Sequence, residues 1–141
     1  MLLLIYRYLS NLFFIPILFF FFLRFLISKE TISSVLEKFS ISRKKRPEGD
    51  LIWINGVSVG ESKTGIAVAR EIKKIKPESS ILFSTSTLSA YNLLSKSKNN
   101  FVVIFFPIDI NFLIKRFLKY WNPSSVIFIE SEIWPNIFSI L

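Results

Sequence analysis

Two hydropathy patterns divide the chain. From Met1 to Ile27 the residues are almost wholly apolar, with charges only at Arg7 and Arg24, whereas from Leu51 onward short apolar runs alternate with amphipathic stretches. Leu51 to Asn55 predicts a strand, followed by a glycine-containing turn and a helix over Glu61 to Lys76, with Ile66, Ala69, Ile72 and Ile75 on one face and Pro77 as its stop. Ile81 to Ser84 predicts a second strand, Thr87 to Lys96 a second helix, and Phe101 to Phe106 a third strand closed by Pro107. A third helix over Ile110 to Trp121 carries Leu113, Phe117 and Tyr120 as its inner stripe and gathers Phe112, Lys115, Arg116 and Lys119 elsewhere; Pro123 ends it. Val126 to Ile129 is the fourth strand, and Pro135 suits the first turn of a fourth helix.

Strands alternating with helices predict an α/β fold, a parallel sheet with right-handed crossovers that forms a Rossmann-like half over residues 51–141. In such sheets ligands bind outside the carboxyl ends of the strands. Glu61 and Glu130 both follow predicted strands, so they are expected to share one crevice although they lie far apart in sequence.

The apolar start changes the picture from soluble domain to membrane-attached domain. Its uncharged stretch, Tyr8 to Leu23, falls slightly short of the roughly 20 residues that span a bilayer core, and flanking arginines extend the usable length. A membrane-anchoring helix is expected over 1–27. No small-residue cleavage site follows it, which disfavours a cleaved signal peptide. Asn11 and Pro16 also allow a monotopic helix lying in the interface. Residues 28–50 are read as a short juxtamembrane helix, Thr31 to Phe39, followed by a basic linker. The cluster Arg43-Lys44-Lys45-Arg46 places the downstream part in the cytoplasm by the positive-inside rule, and it either touches anionic headgroups or stays solvated.

Composition narrows the chemistry. The chain has no cysteine and no histidine, so a disulfide framework, a thiolate centre and a histidine-held metal are all excluded, and catalysis would have to be carboxylate chemistry. The net charge of +8 divides equally between residues 1–50 and 51–141. It suggests an anionic partner, or merely a lysine-rich codon bias; the dispersed charges do not favour nucleic acid.

Four turns hold the candidate groups. Gly56-Val57-Ser58-Val59-Gly60-Glu61 is a strand-to-helix turn whose glycines allow close backbone approach and whose helix amides could hold an anion, but it lacks the dinucleotide and P-loop fingerprints. Glu61 is either a first-turn acid favoured by the helix macrodipole or a catalytic carboxylate. Ser84-Thr85-Ser86-Thr87 offers hydroxyls for capping or ligand contact, and Asp109 reads as the cap of the third helix. Glu130 and Glu132 bracket Ser131 at the end of a buried strand, where alternation lets only one point inward. Trp134-Pro135-Asn136 serves packing and capping or recognition.

Taken together, Gly56 to Glu61, Phe83-Ser84-Thr85-Ser86-Thr87, Phe106-Pro107-Ile108-Asp109, Arg116-Phe117-Leu118 and Ile129-Glu130-Ser131-Glu132-Ile133-Trp134-Pro135-Asn136 resemble the amino-terminal half of the 3-deoxy-D-manno-octulosonic acid (Kdo) transferases. The order and spacing match across nearly all of Leu51 to Leu141. The resemblance implies a GT-B architecture in which this half faces the membrane and binds the lipid acceptor. It implies transfer of Kdo from CMP-Kdo to a lipid A precursor, lipid IVA, at the cytoplasmic face of the inner membrane. The implied reaction is an inverting displacement that uses no cofactor and no metal. Glu61 matches the proton acceptor and Glu130 a transition-state stabiliser, with Ser58, Gly60, Thr85 and Thr87 as acceptor-binding or positioning residues. Ser131 and Ile133 stand where threonine and leucine are more usual. The donor half that carries most CMP contacts has no counterpart before Leu141, so an amino-terminal fragment is expected; a catalytically inactive, membrane-tethered remnant that binds anionic glycolipid is the competing reading.

Overall fold

The computed structural model describes residues 1–97, 99–129 and 133–141. It divides the chain into two compact units. One comprises residues 42–106 and 120–132, the other residues 1–41, 107–119 and 133–141.

The first unit is built on a parallel four-stranded sheet, with β1 (Leu51–Asn55), β2 (Ser80–Thr85), β3 (Val102–Phe105) and β4 (Ser125–Phe128) in the order β3-β2-β1-β4. All five β1 residues are buried, as expected of a central strand paired on both edges. The α/β fold predicted from the alternation is therefore observed, with each strand end within about one residue of its predicted place.

Helix α4 (Val59–Ile75) packs on the sheet, and α5 (Leu88–Lys96) follows β2. The inner face of α4 is Ser62, Gly65 and Ala69, flanked by Ile66 and Ile72. Gly65 is required there, because a Cβ would lie 2.4 Å from Phe83 Cζ. Ile75, expected on that face, is instead 81% exposed near the end of the helix.

The basic linker contributes to this unit as well. Arg46 donates from Nε to the Trp121 carbonyl at 2.6 Å and from its other nitrogens to the carbonyls of Pro47, Gly49 and Asn122. Lys44 bonds the Tyr91 hydroxyl at 2.8 Å and the Val103 carbonyl. Two of the four clustered cations are thus turned onto protein, while Arg43 and Lys45 remain exposed.

The second unit is helical. Residues 1–27 form two helices rather than one, α1 (Leu2–Leu12) and α2 (Phe14–Leu26), bent by 49° across Phe13. Pro16 explains the break: it has no N–H to give the Leu12 carbonyl, and it is tolerated only in the first turn of a new helix. Among the described residues no single helix is long and apolar enough to cross a membrane; this bent pair meets the criteria only when taken together. The inward residues of α2, Phe14, Ile17 and Phe21, pack on Phe39, Ile110 and Leu113. Their neighbours Ile15, Phe19 and Phe22 are exposed.

Helix α3 (Ile32–Lys38) starts at a capping box between Thr31 and Ser34. Glu30 just ahead of it is buried and accepts hydrogen bonds from Lys38 Nζ at 2.6 Å, Ser34 Oγ at 2.6 Å and Arg24 Nε at 3.3 Å. Burial pushes its carboxyl up, but these donors and the two cations outweigh it and hold the group below the usual carboxylate range.

In α6 (Asn111–Trp121) the buried residues are Leu113, Ile114, Phe117 and Trp121. Tyr120, predicted to face inward, is 45% exposed because its hydroxyl reaches the Lys44 carbonyl at 2.7 Å. The chain ends in α7 (Pro135–Ile140), with proline in its first turn as predicted.

Candidate active site

The strand order defines where a ligand would sit. The chain builds outward from β1 through β2 to β3, then returns to the opposite edge of β1 with β4. That reversal makes the carboxyl ends of β1 and β4 the topological switch point, outside which open α/β sheets bind ligands. The turn after β1, Gly56 to Glu61, lies at this edge.

The turn is held by hydrogen bonds from both flanks. The Gly56 N–H donates to the Ser84 carbonyl at 3.0 Å, and the Thr85 hydroxyl donates to the Val57 carbonyl at 3.0 Å. Gly56 packs directly under the start of α4, where a Cβ would come within 3.1 Å of the Glu61 and Ser62 backbone. Beneath it a buried polar chain runs from Trp53 Nε1 to Ser84 Oγ at 2.8 Å and on to Asn55 Oδ1 at 2.7 Å. Trp53 is fixed further by stacking on Phe106. The strand ends are therefore a rigid platform rather than a loose loop.

On that platform Ser58 is the N-cap of α4 and Glu61 its third helical residue. Glu61 Oε2 accepts the Val57 N–H at 2.7 Å, Glu61 Oε1 accepts the Ser58 hydroxyl at 2.8 Å, and the Ser58 oxygen accepts the Glu61 N–H at 3.3 Å. This is the reciprocal logic of a capping box, with the glutamate reaching one residue beyond the cap. An ionised carboxylate has about four acceptor positions, so two hydrogen bonds orient it and leave capacity on each oxygen. Glu61 itself is half-buried.

The other sequence candidates occupy supporting positions. Thr85 is buried against the Val57 carbonyl, and Thr87 caps α5 by accepting the Ala90 N–H at 3.2 Å. Gly60 is exposed, and a Cβ there would meet only Ser58 Oγ at 3.8 Å. Glu130, together with Ser131 and Glu132, lies outside the described residues; in sequence it follows β4, the neighbour of β1.

Asp109, predicted to cap the helix it precedes, does something else. Its carboxylate accepts the Asn136 N–H and the Ile137 N–H, both at 3.0 Å, and the Tyr6 hydroxyl at 2.9 Å. It thus caps α7 from a distance, in place of Trp134, which provides no side-chain cap. The Asn136 side chain returns a bond to the Asp109 carbonyl at 2.7 Å. Burial, with the Asp109 charge and hydrogen bond, pushes the Tyr6 phenol up to about 12. Sequence reasoning missed this lock because its partners are 27 and 103 residues away.

Comparison with known proteins assigns the family. The model of the 3-deoxy-D-manno-octulosonic-acid transferase (kdotransferase) family matches residues 33–141. The chain belongs to this family. A probable 3-deoxy-D-manno-octulosonic acid transferase, mitochondrial, of Arabidopsis thaliana is 38% identical over 105 residues, covering 72% of this chain and 23% of that protein. The 3-deoxy-D-manno-octulosonic acid transferase of Rickettsia bellii is 39% identical over 116 residues, 82% of this chain and 28% of the relative. That of Aquifex aeolicus is 28% identical over 105 residues, 73% and 29% of the two. The chain therefore spans about a quarter of the length of the curated Kdo transferases it matches. No solved structure matches. The parallel sheet, the Ser58–Glu61 turn and the Asp109–Asn136 lock all fall within the matched region.

Proposed function

We propose that this chain supplies the acceptor-facing, amino-terminal half of a Kdo transferase acting on a membrane glycolipid. In this reading Kdo passes from CMP-Kdo to a lipid A precursor, and a carboxyl-terminal domain provides most of the donor contacts. The Glu61 carboxylate accepts the proton of the attacking sugar hydroxyl while the oxygen of that hydroxyl bonds to the anomeric carbon of Kdo and CMP departs with the electron pair of the broken bond. Glu130 stabilises the charge that develops, and Ser58 positions the base. The α1–α2 pair attaches this half to the cytoplasmic face of the inner membrane as a monotopic element.

One observation supports the reading most: Glu61 is fixed from two sides at the switch point of the sheet and retains acceptor capacity on both oxygens. A held carboxylate base contributes about 10²- to 10⁴-fold to rate. The competing reading, a tethered remnant without catalysis, draws on the same bonds, since a capping role alone accounts for a Ser-x-x-Glu turn. The two separate in a complementation assay. The full chain, co-expressed with a carboxyl-terminal domain from a relative, is expected to transfer Kdo from CMP-Kdo to lipid IVA and to lose transfer on Glu61→Ala. Absence of transfer with any such domain, or full activity of the variant, contradicts the proposal.

A further inference from the structure

Helices α2 and α3 enclose an open groove of about 540 Å³ whose nine lining residues are all apolar, among them Leu18, Phe22 and Phe25 on one wall and Ile32, Val35 and Leu36 on the other. We propose that this groove holds one acyl chain of an anionic membrane phospholipid, with the lipid phosphate at the Arg24–Lys29 end. The inference rests on the membrane attachment proposed above and specifies it.

Three observations select this occupant. The groove's own lining leaves apolar surface uncovered, with Ile15, Phe19 and Phe22 at 74%, 60% and 53% exposed, and on α1 of the same unit Leu4 and Leu12 are 68% and 62% exposed. Hydrocarbon is the medium that covers such a face without demanding hydrogen bonds.

The groove is also preformed. Glu30 ties Arg24 on α2 to Ser34 and Lys38 on α3, Lys38 lies 5.0 Å above the Phe21 ring, and Phe21 packs edge-on to Phe39 at 5.9 Å. A cleft whose walls are already locked loses little entropy when a flexible chain enters.

Charge complements the phosphate. Lys29 is exposed in the turn joining the two walls, and Arg24 keeps further N–H donors beyond its bond to Glu30. The α6 residues Lys115, Arg116 and Lys119 of the same unit are exposed too, which suits an anionic surface over a neutral one. At 13 residues α2 is about 20 Å long against a hydrocarbon core of about 30 Å, so α2 by itself is too short to cross it.

The test uses the full chain on vesicles of phosphatidylglycerol and phosphatidylcholine, each lipid in turn carrying a diazirine at its acyl terminus. Photo-labelling is mapped by peptide mass spectrometry. The proposal expects labels on Val35 and Leu36 in α3 as well as on Leu4 and Ile5 in α1, with phosphatidylglycerol preferred. Leu36→Glu, or Leu36→Phe if the charge prevents folding, should bring α3 labelling to background and leave α1 labelling intact. Lys29→Gln should weaken the preference for phosphatidylglycerol roughly fivefold. Labels confined to α1 overturn the groove while the attachment stands, and equal α3 labelling by both lipids overturns the preference for an anionic headgroup at the Arg24–Lys29 end. No labelling anywhere overturns the attachment itself.

Discussion

The sheet-based unit and the helical unit treat the same residue types in opposite ways. In the first, apolar side chains are covered by protein: Trp53, Ile54, Leu82 and Phe83 are fully buried, and Arg46 and Lys44 spend their donors on backbone carbonyls. In the second, phenylalanines and leucines of α1 and α2 stand exposed, and Lys115, Arg116 and Lys119 face solvent. The two central strands of the sheet unit, β1 and β2, carry almost wholly buried residues. The helical unit leaves apolar and cationic surface that a lipid interface would complete. Composition alone blurs this contrast, because both halves of the sequence are apolar and both carry the same net charge.

The contrast can be broken most severely at Asp109. Asp109→Ala strips the acceptor from Tyr6, Asn136 and Ile137 together. It should destabilise the helical unit by about 3 kcal/mol, since buried donors are left unmade. Denaturant titration would show it; a loss within experimental error would mean that α7 is not held by this carboxylate. Next comes Gly65→Ala in the sheet unit, expected to cost about 2 kcal/mol through overpacking against Phe83, with partial recovery on adding Phe83→Leu. Additive losses in the double variant would contradict the close packing.

A smaller effect sharpens the helical side. The Glu30 carboxyl is held below its ordinary range in the folded protein, so its contribution to stability is present above about pH 4.3, the unfolded value, and is lost as pH falls through the lowered folded value. Melting temperature followed from neutral to acidic pH should fall more steeply for the native chain than for Glu30→Gln. Parallel curves would remove the Glu30 cluster as the lock between α2 and α3.

Much of this was legible along the chain, and the misses share a cause. The strands and the helices after them were readable because their periodicity and their proline stops are local. The N-terminal break is not, because an apolar run carries the same hydropathy whether straight or bent, and Pro16 is compatible with either an interfacial or a spanning helix. Sequence proximity points Asp109 to the helix it precedes, but its partners arrive from both ends of the chain. Arg46 stands in a run of four cations along the chain, although its guanidinium closes the carbonyl end of α6. Gly65 gave no sequence signal, since its need arises only where α4 meets Phe83. For the site, the Ser58 to Glu61 turn was visible, but its cap geometry required the hydroxyl and both carboxylate oxygens to be placed.

That geometry points to the most direct measurement. Glutamine keeps a carbonyl acceptor for the cap but cannot serve as the proton acceptor. Glu61→Gln in the complemented full chain should keep the melting temperature close to the native value while Kdo transfer falls by about 10²- to 10⁴-fold. Native transfer rates in a stably folded Glu61→Gln chain would contradict the account, leaving Glu61 as a helix cap and nothing more.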